Sequence, residues 1–224
     1  LGKKGYTLEE TLGKGSQGKV KSAYCRQLKH QVAIKIIDKT KAPEAMLKKF
    51  IPREIETLTC LQHPSIIKIY ETFETPSGKL YTVMELGKKG DLMNYIRTMG
   101  AMEEDVACVK FLQLASPLKH CHDSDFAHRD LKCENIILDE DLNMKLAHFG
   151  FSKHLAWDES GKTILSNTFC GTPAYSAPEV LQGVPYDPRI PDIWSLGVIL
   201  YIMVYALMPF NHSNIKKMIH CQRQ

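Results

Sequence analysis

The stretch HRDLKCEN, residues 128–135, places an acid, a base and an amide close together in one short segment. Asp130 can accept the proton of a hydroxyl group, and Lys132 can stabilise a phosphoryl group while it is transferred. Asn135 can offer an oxygen to a hard divalent metal ion. A structural loop can carry any two of these side chains, so the interpretation depends on the motifs that precede them.

The stretch GKGSQGKV, residues 13–20, has glycines at the spacing GxGxxGxV. Glycines let a backbone turn tightly and bring its N–H groups against phosphate oxygens. A dinucleotide-binding fold would begin a helix at the third glycine, but the residues that follow, KVKSAY, alternate as in a strand. The motif therefore predicts a hairpin that covers phosphates, and its context excludes a Rossmann turn.

The stretch VAIK, residues 32–35, places Lys35 on an apolar strand, where an unpaired charge is costly. Glu54, in the helix predicted next, can supply the carboxylate while the ammonium group holds phosphates. For VAIK by itself, a strand-edge lysine that reaches water is a reasonable alternative. The glycine loop, VAIK and residues 128–135 in this order favour phosphoryl transfer.

The composition is that of a folded protein with a mixed surface. The 224 residues suffice for one large domain or two joined lobes. Hydrophobic residues make up 44% and charged residues 24%, which argues against a disordered or collagen-like chain. Basic and acidic residues are interspersed and the net charge is only +4, so no nucleic-acid partner is expected.

The 7 cysteines form no CxxC pair, and no signal peptide precedes them. We therefore predict free thiols in a reducing compartment, the cytoplasm. His120-Cys121-His122 suggests a metal site, but no second ligand pair stands at a recognised spacing. An ordinary helix end is favoured there.

Residues 193–210, IWSLGVILYIMVYALMPF, are almost long enough to span a bilayer. They contain Ser195 and Gly197, reach Pro209 near their end, and lack a basic flank. We interpret them as a fully buried helix, and no membrane partner is expected.

Hydrophobic periodicity predicts a β-rich first part and a helical remainder. Strands, the first three forming an antiparallel meander, are predicted over residues 6–37, 66–73 and 79–86. Helices are predicted over residues 43–62, 91–99 and 103–123. In the first of these helices, Pro52 is expected to begin the main part.

With these motifs in this order, the chain resembles the eukaryotic protein kinases over its whole length. The resemblance continues through GTPAYSAPE, residues 171–179, and PDIWSLGVILY, residues 191–201. Stretches such as VKSAY, VAIKIID, SIIKIYE and APEVLQG are most similar to the testis-specific serine kinases. That similarity implies expression in the testis and a role in spermatogenesis.

The resemblance implies an α+β, two-lobed kinase-like fold that binds ATP at the hinge and transfers its γ-phosphoryl group to protein Ser or Thr. The expected parts are a β-rich N-terminal lobe (residues 1–86), the end of the hinge (87–90) and a mainly helical, partial C-terminal lobe (91–224). The chain is expected to end before the last helices of this fold, which would leave Glu179 without its usual arginine partner.

The same resemblance implies an ATP site built from the glycine loop, a strand–helix ion pair and an adenine hinge. Met84 falls at the gatekeeper position, and residues 85–87 fall at the hinge. The residues implied for ATP binding are Gly13, Gly15, Gly18, Val20, Ala33, Lys35, Glu54, Met84, Glu85 and Gly87.

Asp130 and Lys132 match the catalytic residues of this family, and Thr172 with Lys132 fits its serine/threonine class. Thr168 aligns with the activation-loop phosphosite. A phosphate there would pair with Arg129 and order the loop. A plain polar threonine is the alternative.

The resemblance also implies a protein substrate that carries Ser or Thr. Asp91 and Glu134 match acids that meet substrate arginines in basophilic relatives, so a basic substrate is the hypothesis. Solvated acids are the common alternative. A regulatory or chaperone partner is also expected.

In KLAHFGFSK, residues 145–153, His148 occupies the place of the Asp that chelates Mg²⁺ in the family. Mg²⁺ prefers oxygen ligands, whereas an imidazole supplies nitrogen and no negative charge. With Asn135 as the other metal ligand, we predict weakened Mg²⁺ binding and severely reduced or absent phosphoryl transfer. A softer ion such as Mn²⁺ is expected to tolerate His148 better.

Other positions also depart from the family pattern. Pro117 lies inside a predicted helix, where proline costs on the order of 3 kcal/mol. Ala206 stands where the family usually ends its central helix with Gly, whereas Pro191 is acceptable in a first turn. Three interpretations therefore stay open: an active kinase, a pseudokinase that binds nucleotide or a partner, and a drifted fragment without a stable fold.

Overall fold

Five antiparallel strands form one sheet in the first part of the chain. The computed structural model describes residues 1–15 and 18–224. The strands are β1 (Tyr6–Gly15), β2 (Gly18–Cys25), β3 (His30–Asp38), β4 (Ile69–Glu74) and β5 (Lys79–Met84), in the order β1-β2-β3-β5-β4. The predicted meander is confirmed, and so are the two further strands, although each is shorter than predicted.

Pairing outside the sheet explains where β4 and β5 stop. The Ile67 N–H donates to the Leu146 carbonyl at 2.8 Å, so the residues before β4 belong to a different contact. Beyond Met84 the chain leaves the sheet, and the Lys89 N–H donates to the Leu138 carbonyl at 3.1 Å. The predicted boundaries were wrong because these partners are distant in sequence.

Strand β3 is buried on both faces because it lies in the middle of the sheet. Val32 and Ile34 are fully buried and pack with Val83 on one face. Ala33 and Lys35 are buried on the opposite face, since successive side chains of a strand alternate. The alternation therefore directs Lys35 to the side of the sheet that faces the rest of the chain.

Helix α1 (Ile51–Cys60) follows a π-helical turn over Met46–Phe50. Pro52 lies in the first turn, as predicted, where its missing N–H costs little. The helix ends at Leu61, which has extended backbone angles of φ −90° and ψ 112°. The predicted helix over 43–62 is thus confirmed in kind, although its first part is a π-helical turn and its end lies two residues earlier than predicted.

The second part of the chain is mainly helical. Its helices are α2 (Leu92–Met99), α3 (Glu104–Asp123), α4 (Pro178–Gln182), α5 (Ile190–Tyr205) and α6 (Ile215–Gln222). Helices α2 and α3 confirm the predictions over 91–99 and 103–123. Asp91 begins α2 as its N-cap, because its carboxylate accepts the Asn94 N–H at 2.8 Å.

Helix α3 is continuous through Pro117, which is buried. The neighbouring Leu114 and Leu118 are fully buried and belong to the same core cluster as Ile199 and Ile202 of α5. Packing of α3 against α5 therefore holds the helix together in spite of the proline.

Helix α5 contains most of the apolar run that resembled a membrane span. Ile199 and Met203 are fully buried, but Ile193 is 54% exposed and lines a groove with Tyr201 and Phe210. The buried-helix interpretation is therefore right for one side and wrong for the other. Within the described residues, no helix is long and apolar enough to cross a membrane.

The second part of the chain also contains two short strand pairs, which periodicity did not predict. Strand β6 (Phe126–Ala127) pairs with β9 (Lys153–His154), and β7 (Ile136–Leu138) pairs with β8 (Met144–Leu146). Residues 128–135 run from β6 to β7, and residues 147–152 run from β8 to β9. Both stretches that carry the predicted chemistry are thus anchored at each end by a strand.

Candidate active site

A cavity of about 480 Å³ is bounded by the sheet, α1 and the segment after β5. The residues predicted to bind ATP that line it are Gly13, Val20, Ala33, Lys35, Glu54, Met84, Glu85 and Gly87. The residues predicted for metal or substrate that line it are Asn135, His148, Asp91 and Glu134. The structure therefore brings most of the predicted site residues to one cavity.

Gly15 and Gly18 do not line this cavity, although they were predicted to bind ATP. They face each other where β1 and β2 form a hairpin. Gly18 has a φ of 123°, and a Cβ there would collide with the Ile36 carbonyl oxygen. Gly18 is therefore required for packing of the hairpin on β3. Residues 16–17, the tip of the predicted phosphate loop, lie outside the described residues.

The segment after β5 forms one edge of the cavity. The Glu85 N–H donates to the Lys68 carbonyl at 2.9 Å, and the Glu85 carboxylate pairs with Lys145 at 2.6 Å. Gly87 packs so closely on Ile137 that any Cβ at position 87 would collide with the Ile137 side chain. A glycine at this position lets the segment lie against β7.

Lys35 and Glu54 form the predicted ion pair inside the cavity. The Lys35 Nζ lies 2.7 Å from the Glu54 Oε2, and both side chains are largely buried. His148 joins them, since its Nδ1 lies 3.3 Å from the Glu54 Oε1. Burial by itself would raise the pKa of the Glu54 carboxyl, but Lys35 and His148 outweigh it and lower the pKa from 4.5 to about 2. Glu54 is therefore a carboxylate held between two basic groups.

His148 has a left-handed backbone, with φ 70° and ψ 61°. His and Asp adopt this region more readily than most residues, so the backbone accepts either. The next residue, Phe149, is fully buried, and its ring packs edge-on against His128 at 4.6 Å between centroids. The segment keeps its fold while position 148 presents an imidazole where the family presents an acid.

Asp192, at the start of α5, supports the backbone of residues 128–135, the predicted catalytic loop. Its Oδ2 accepts the His128 N–H at 2.8 Å, and its Oδ1 accepts the Arg129 N–H at 2.7 Å. The His128 Nε2 donates to the Ala147 carbonyl at 3.1 Å, and its Nδ1 accepts the Asp130 N–H at 3.3 Å. Burial lowers the pKa of the His128 imidazole, in agreement with a neutral ring. These bonds link the catalytic loop to the segment that carries His148.

Asp130, Lys132, Asn135 and Thr172 form one hydrogen-bonded group. The Asp130 Oδ1 accepts the Thr172 hydroxyl at 2.9 Å, and the Lys132 Nζ donates to the Thr172 Oγ1 at 2.8 Å. The Asn135 Nδ2 donates to the Asp130 Oδ2 at 3.1 Å and to its carbonyl at 2.8 Å. The predicted catalytic residues therefore lie in contact, and Asp130 is oriented by three side chains, Lys132 included at 3.4 Å.

Gly171 allows Thr172 to reach the catalytic loop. It has a φ of 92°, and a Cβ there would lie 2.6 Å from the Arg129 carbonyl oxygen. Any other residue would push the 171–179 segment away from Asp130. The sequence signal for this role is the glycine that directly precedes Thr172.

The side chains predicted to bind a metal ion, Asn135 and His148, do not suit a hard divalent cation. Among the described residues, no group of three or more His, Cys, Asp or Glu side chains could hold a metal ion. Asn135 uses its Nδ2 on Asp130, which leaves its neutral Oδ1. His148 turns its Nδ1 to Glu54. Mg²⁺ is usually held through one or two carboxylates, so these residues do not fit it.

Thr168 is exposed, and its carbonyl accepts the Tyr186 hydroxyl at 2.7 Å. Tyr186 and Arg129 line the same small cavity, which places the predicted partners in one region. Burial and the neighbouring Arg129 lower the pKa values of Arg53 and Lys153. Cations from α1, the catalytic loop and β9 thus gather near the segment that carries Thr168.

The acids predicted to meet a basic substrate are both engaged. Asp91 accepts the Asn94 N–H at 2.8 Å and the Asn94 Nδ2 at 2.7 Å. Glu134 accepts the Tyr175 hydroxyl at 3.1 Å. Each also lines the cavity, so each keeps contact with solvent on one side.

His120, Cys121 and His122 form a helix end that supports the catalytic loop. The His122 Nε2 lies 2.9 Å from the Asp192 Oδ2, and Cys121 is fully buried. Burial raises the pKa of the Cys121 thiol to about 12, so the thiol stays protonated. Asp192 was not among the predicted site residues, because its partners are far away along the chain.

Comparison with known proteins gives a consistent picture. The protein kinase domain model matches residues 6–224. Testis-specific serine/threonine-protein kinase 1 of Mus musculus is 60% identical over all 224 residues, and its Homo sapiens counterpart is 59% identical. The chain spans 61% of the length of each. Testis-specific serine/threonine-protein kinase 3 of Mus musculus is 44% identical over 98% of the chain and 81% of the relative.

Proposed function

The chain belongs to the protein kinase family, and we propose that it is a serine/threonine kinase domain that binds ATP but transfers phosphate poorly with Mg²⁺. One observation carries this proposal: the Asp130 group is complete, while the neighbouring His148 turns to Glu54 and offers no carboxylate. Because the chain spans 61% of its kinase 1 relatives, the activity, substrates and partners of the whole protein belong to the proposal.

The adenine site is proposed at the segment after β5. Within the described residues, the Gly87 N–H and the Glu85 carbonyl make no backbone hydrogen bond. A donor and an acceptor two residues apart on one edge suit the donor–acceptor edge of adenine. Val20, Ala33 and Met84 line the cavity and would supply apolar contacts to the base.

The phosphoryl-transfer step is proposed at Asp130. Its carboxylate would accept the proton of a substrate hydroxyl, and Lys132 would stabilise the transferring group. Thr172 contacts both residues, which supports its assignment to recognition of Ser or Thr. Divalent metal chemistry would normally neutralise the phosphates here, but the residues present supply one neutral oxygen for it.

The proposed loss of phosphoryl transfer has a single cause, the weakened binding of the divalent metal ion. A softer ion such as Mn²⁺ accepts an imidazole more readily than Mg²⁺ does, so residual transfer is expected to be larger with Mn²⁺. A second candidate, a pseudokinase that acts through binding, is favoured by the Lys35–Glu54–His148 chain. Those side chains join α1 to β3 and to the segment of His148 without a bound metal ion or nucleotide.

The proposal also covers regulation, substrate class and location. Phosphorylation of exposed Thr168 would place charge near Arg129 and order its segment. Asp91 and Glu134 favour a basic protein substrate. We also propose a cytoplasmic protein with a regulatory or chaperone partner, divided into a lobe of residues 1–86, a hinge end of 87–90 and a lobe of 91–224.

The test is transfer of the ATP γ-phosphoryl group to a basic Ser/Thr peptide by the unmodified protein and by His148→Asp, in Mg²⁺ and in Mn²⁺. We expect His148→Asp to transfer phosphate at least about 100-fold faster in Mg²⁺, since a lost metal ligand costs several kcal/mol. His154→Asp, the same exchange at an exposed histidine in β9, serves as the matched control and should change little.

Full activity of the unmodified protein in Mg²⁺ would show that the proposed impairment is wrong. Inactivity of both proteins would place the defect outside position 148 and favour the drifted fragment without a stable fold. Binding of adenosine, measured by calorimetry, separates these cases, because a folded domain with an intact cavity should bind it even without transfer.

A further inference from the structure

We propose that the cavity binds ATP without a divalent cation, and that the missing carboxylate at position 148 is the cause. This inference rests on the proposed nucleotide-binding function and concerns the metal that the family normally requires. It follows from the bonding of the acids that line the cavity among the described residues, and of the neighbouring Asp130.

Both oxygens of Glu54 are already engaged. Oε2 lies 2.7 Å from the Lys35 Nζ, and Oε1 lies 3.3 Å from the His148 Nδ1. Glu54 is also largely buried, with 15% of its side chain exposed. It neither repels an incoming phosphate strongly nor offers a free oxygen to a cation.

Asp130 does not line the cavity but is bonded to Asn135, which does, and both of its oxygens are engaged as well. Oδ1 accepts the Thr172 hydroxyl at 2.9 Å, and Oδ2 lies within reach of the Asn135 Nδ2 at 3.1 Å and the Lys132 Nζ at 3.4 Å. Asn135, which lines the cavity, has its Nδ2 bonded to Asp130 and keeps a neutral Oδ1 that could face a cation. No octahedral oxygen site can be assembled from it.

The other acids of the cavity are also neutralised or bonded. Glu85 pairs with Lys145 at 2.6 Å, Asp91 accepts two bonds from Asn94, and Glu134 accepts the Tyr175 hydroxyl. Lys35 and Lys132 thus each lie beside an acid whose oxygens are already engaged, Glu54 at 2.7 Å and Asp130 at 3.4 Å.

An Asp at position 148 would reverse this balance. Its carboxylate would line the cavity near Glu54. It would repel a polyphosphate unless a cation lay between the carboxylate and the phosphates. Histidine adds no negative charge in either protonation state. The requirement for a metal in binding thus comes from the aspartate, and its replacement removes the requirement and the catalytic benefit together.

The test is calorimetric titration of ATP, and of adenosine as the phosphate-free probe, in Mg²⁺ and in EDTA. For the unmodified protein we expect the two ATP dissociation constants to agree within about threefold, whereas Mg²⁺ should tighten ATP binding to His148→Asp at least about tenfold. His148→Asn, neutral and without a carboxylate, should behave as the unmodified protein does.

ATP binding by the unmodified protein only in Mg²⁺ would overturn the inference, while adenosine binding would show that the proposed function stands. A metal requirement in His148→Asn would also overturn it, because the ring itself would then be the phosphate ligand. If neither ATP nor adenosine binds, the proposed function fails and the inference fails with it. The comparison of EDTA with Mg²⁺ on the unmodified protein decides the matter even if His148→Asp does not fold.

Discussion

The catalytic loop, residues 128–135, and the segment of residues 147–152 lie side by side and are built alike. Each is held by the same short strand pairs, and each contains one left-handed residue, Arg129 with φ 66° and His148 with φ 70°. In the loop, the acid Asp130 keeps all of its partners. In the segment, the acid is absent although the backbone that would present it is intact.

The difference shows that a backbone conformation can be kept after the catalytic side chain that it would present has been replaced. The left-handed region accepts His nearly as well as Asp, so the exchange at position 148 costs little folding energy. His148 gains Glu54 as a partner, which links α1 to the segment. Selection for folding alone would therefore not remove this substitution.

The largest effect is expected from Asp130, the acid that is present in residues 128–135. In a His148→Asp background, Asp130→Asn should lower phosphoryl transfer about 10²- to 10⁴-fold, because the hydroxyl proton loses its acceptor. Peptide phosphorylation with Mg²⁺ measures it. ATP binding should be unchanged, since Asp130 does not line the cavity proposed to bind ATP. Equal activity of the single and double variants would mean that Asp130 is not the proton acceptor.

The next largest effect is expected when the Lys35–Glu54 ion pair, which joins the sheet to α1, is broken. Lys35→Met should lower the free energy of unfolding by about 3 kcal/mol, since it leaves a buried carboxylate with one partner fewer. Urea denaturation measures the loss. Lys39→Met, which breaks the exposed Lys39–Glu74 pair, is the matched control and should cost at most about 1 kcal/mol. Similar losses for both would contradict the burial argument.

The low pKa of Glu54 predicts an acid-dependent loss of stability. Its folded pKa of about 2 lies below its ordinary 4.5, so its contribution is present above pH 4.5 and is lost as the pH falls toward 2. Between pH 5 and pH 3 the unmodified protein should lose roughly 2 kcal/mol more than Glu54→Gln does. Urea denaturation at each pH measures this, and parallel curves for the two proteins would refute it.

Much of the fold and of the site was predictable, because the signals were local. Alternation predicted the strands, and the order of glycine loop, VAIK and HRDLKCEN predicted which side chains would meet. The short strands β6 to β9 were not predictable, since two or three residues carry no period. Asp192 and the turn of His148 toward Glu54 were missed for another reason. These contacts join residues 63 and 94 positions apart, and no sequence spacing specifies them.

The comparison would fail if the scaffold, and not His148, caused a loss of activity. Pro117→Ala tests this, because it restores a helical N–H in α3 while leaving a small void at a buried position. We expect a gain of about 1–2 kcal/mol in the free energy of unfolding, with no gain in phosphoryl transfer. Ser116→Ala, at the exposed neighbouring position, should stay within about 0.5 kcal/mol. Recovery of transfer in Pro117→Ala would assign the defect to the helix.

The smallest effect is expected at the end of α5, where Ala206 adopts φ 54° and donates its N–H to the Ile202 carbonyl at 2.8 Å. Ala206→Gly should raise the free energy of unfolding by about 0.5 kcal/mol, because relief of the left-handed strain exceeds the entropy cost of glycine. The reverse exchange in the same helix, Gly197→Ala, is the matched control: a Cβ there meets nothing within 4 Å, so it should stabilise by about 0.5–1 kcal/mol. Thermal unfolding measures both. If both exchanges stabilise the protein and leave phosphoryl transfer unchanged, the backbone angles at these two positions affect stability and not the reaction. Destabilisation by Ala206→Gly would show that Ala206 carries no left-handed strain.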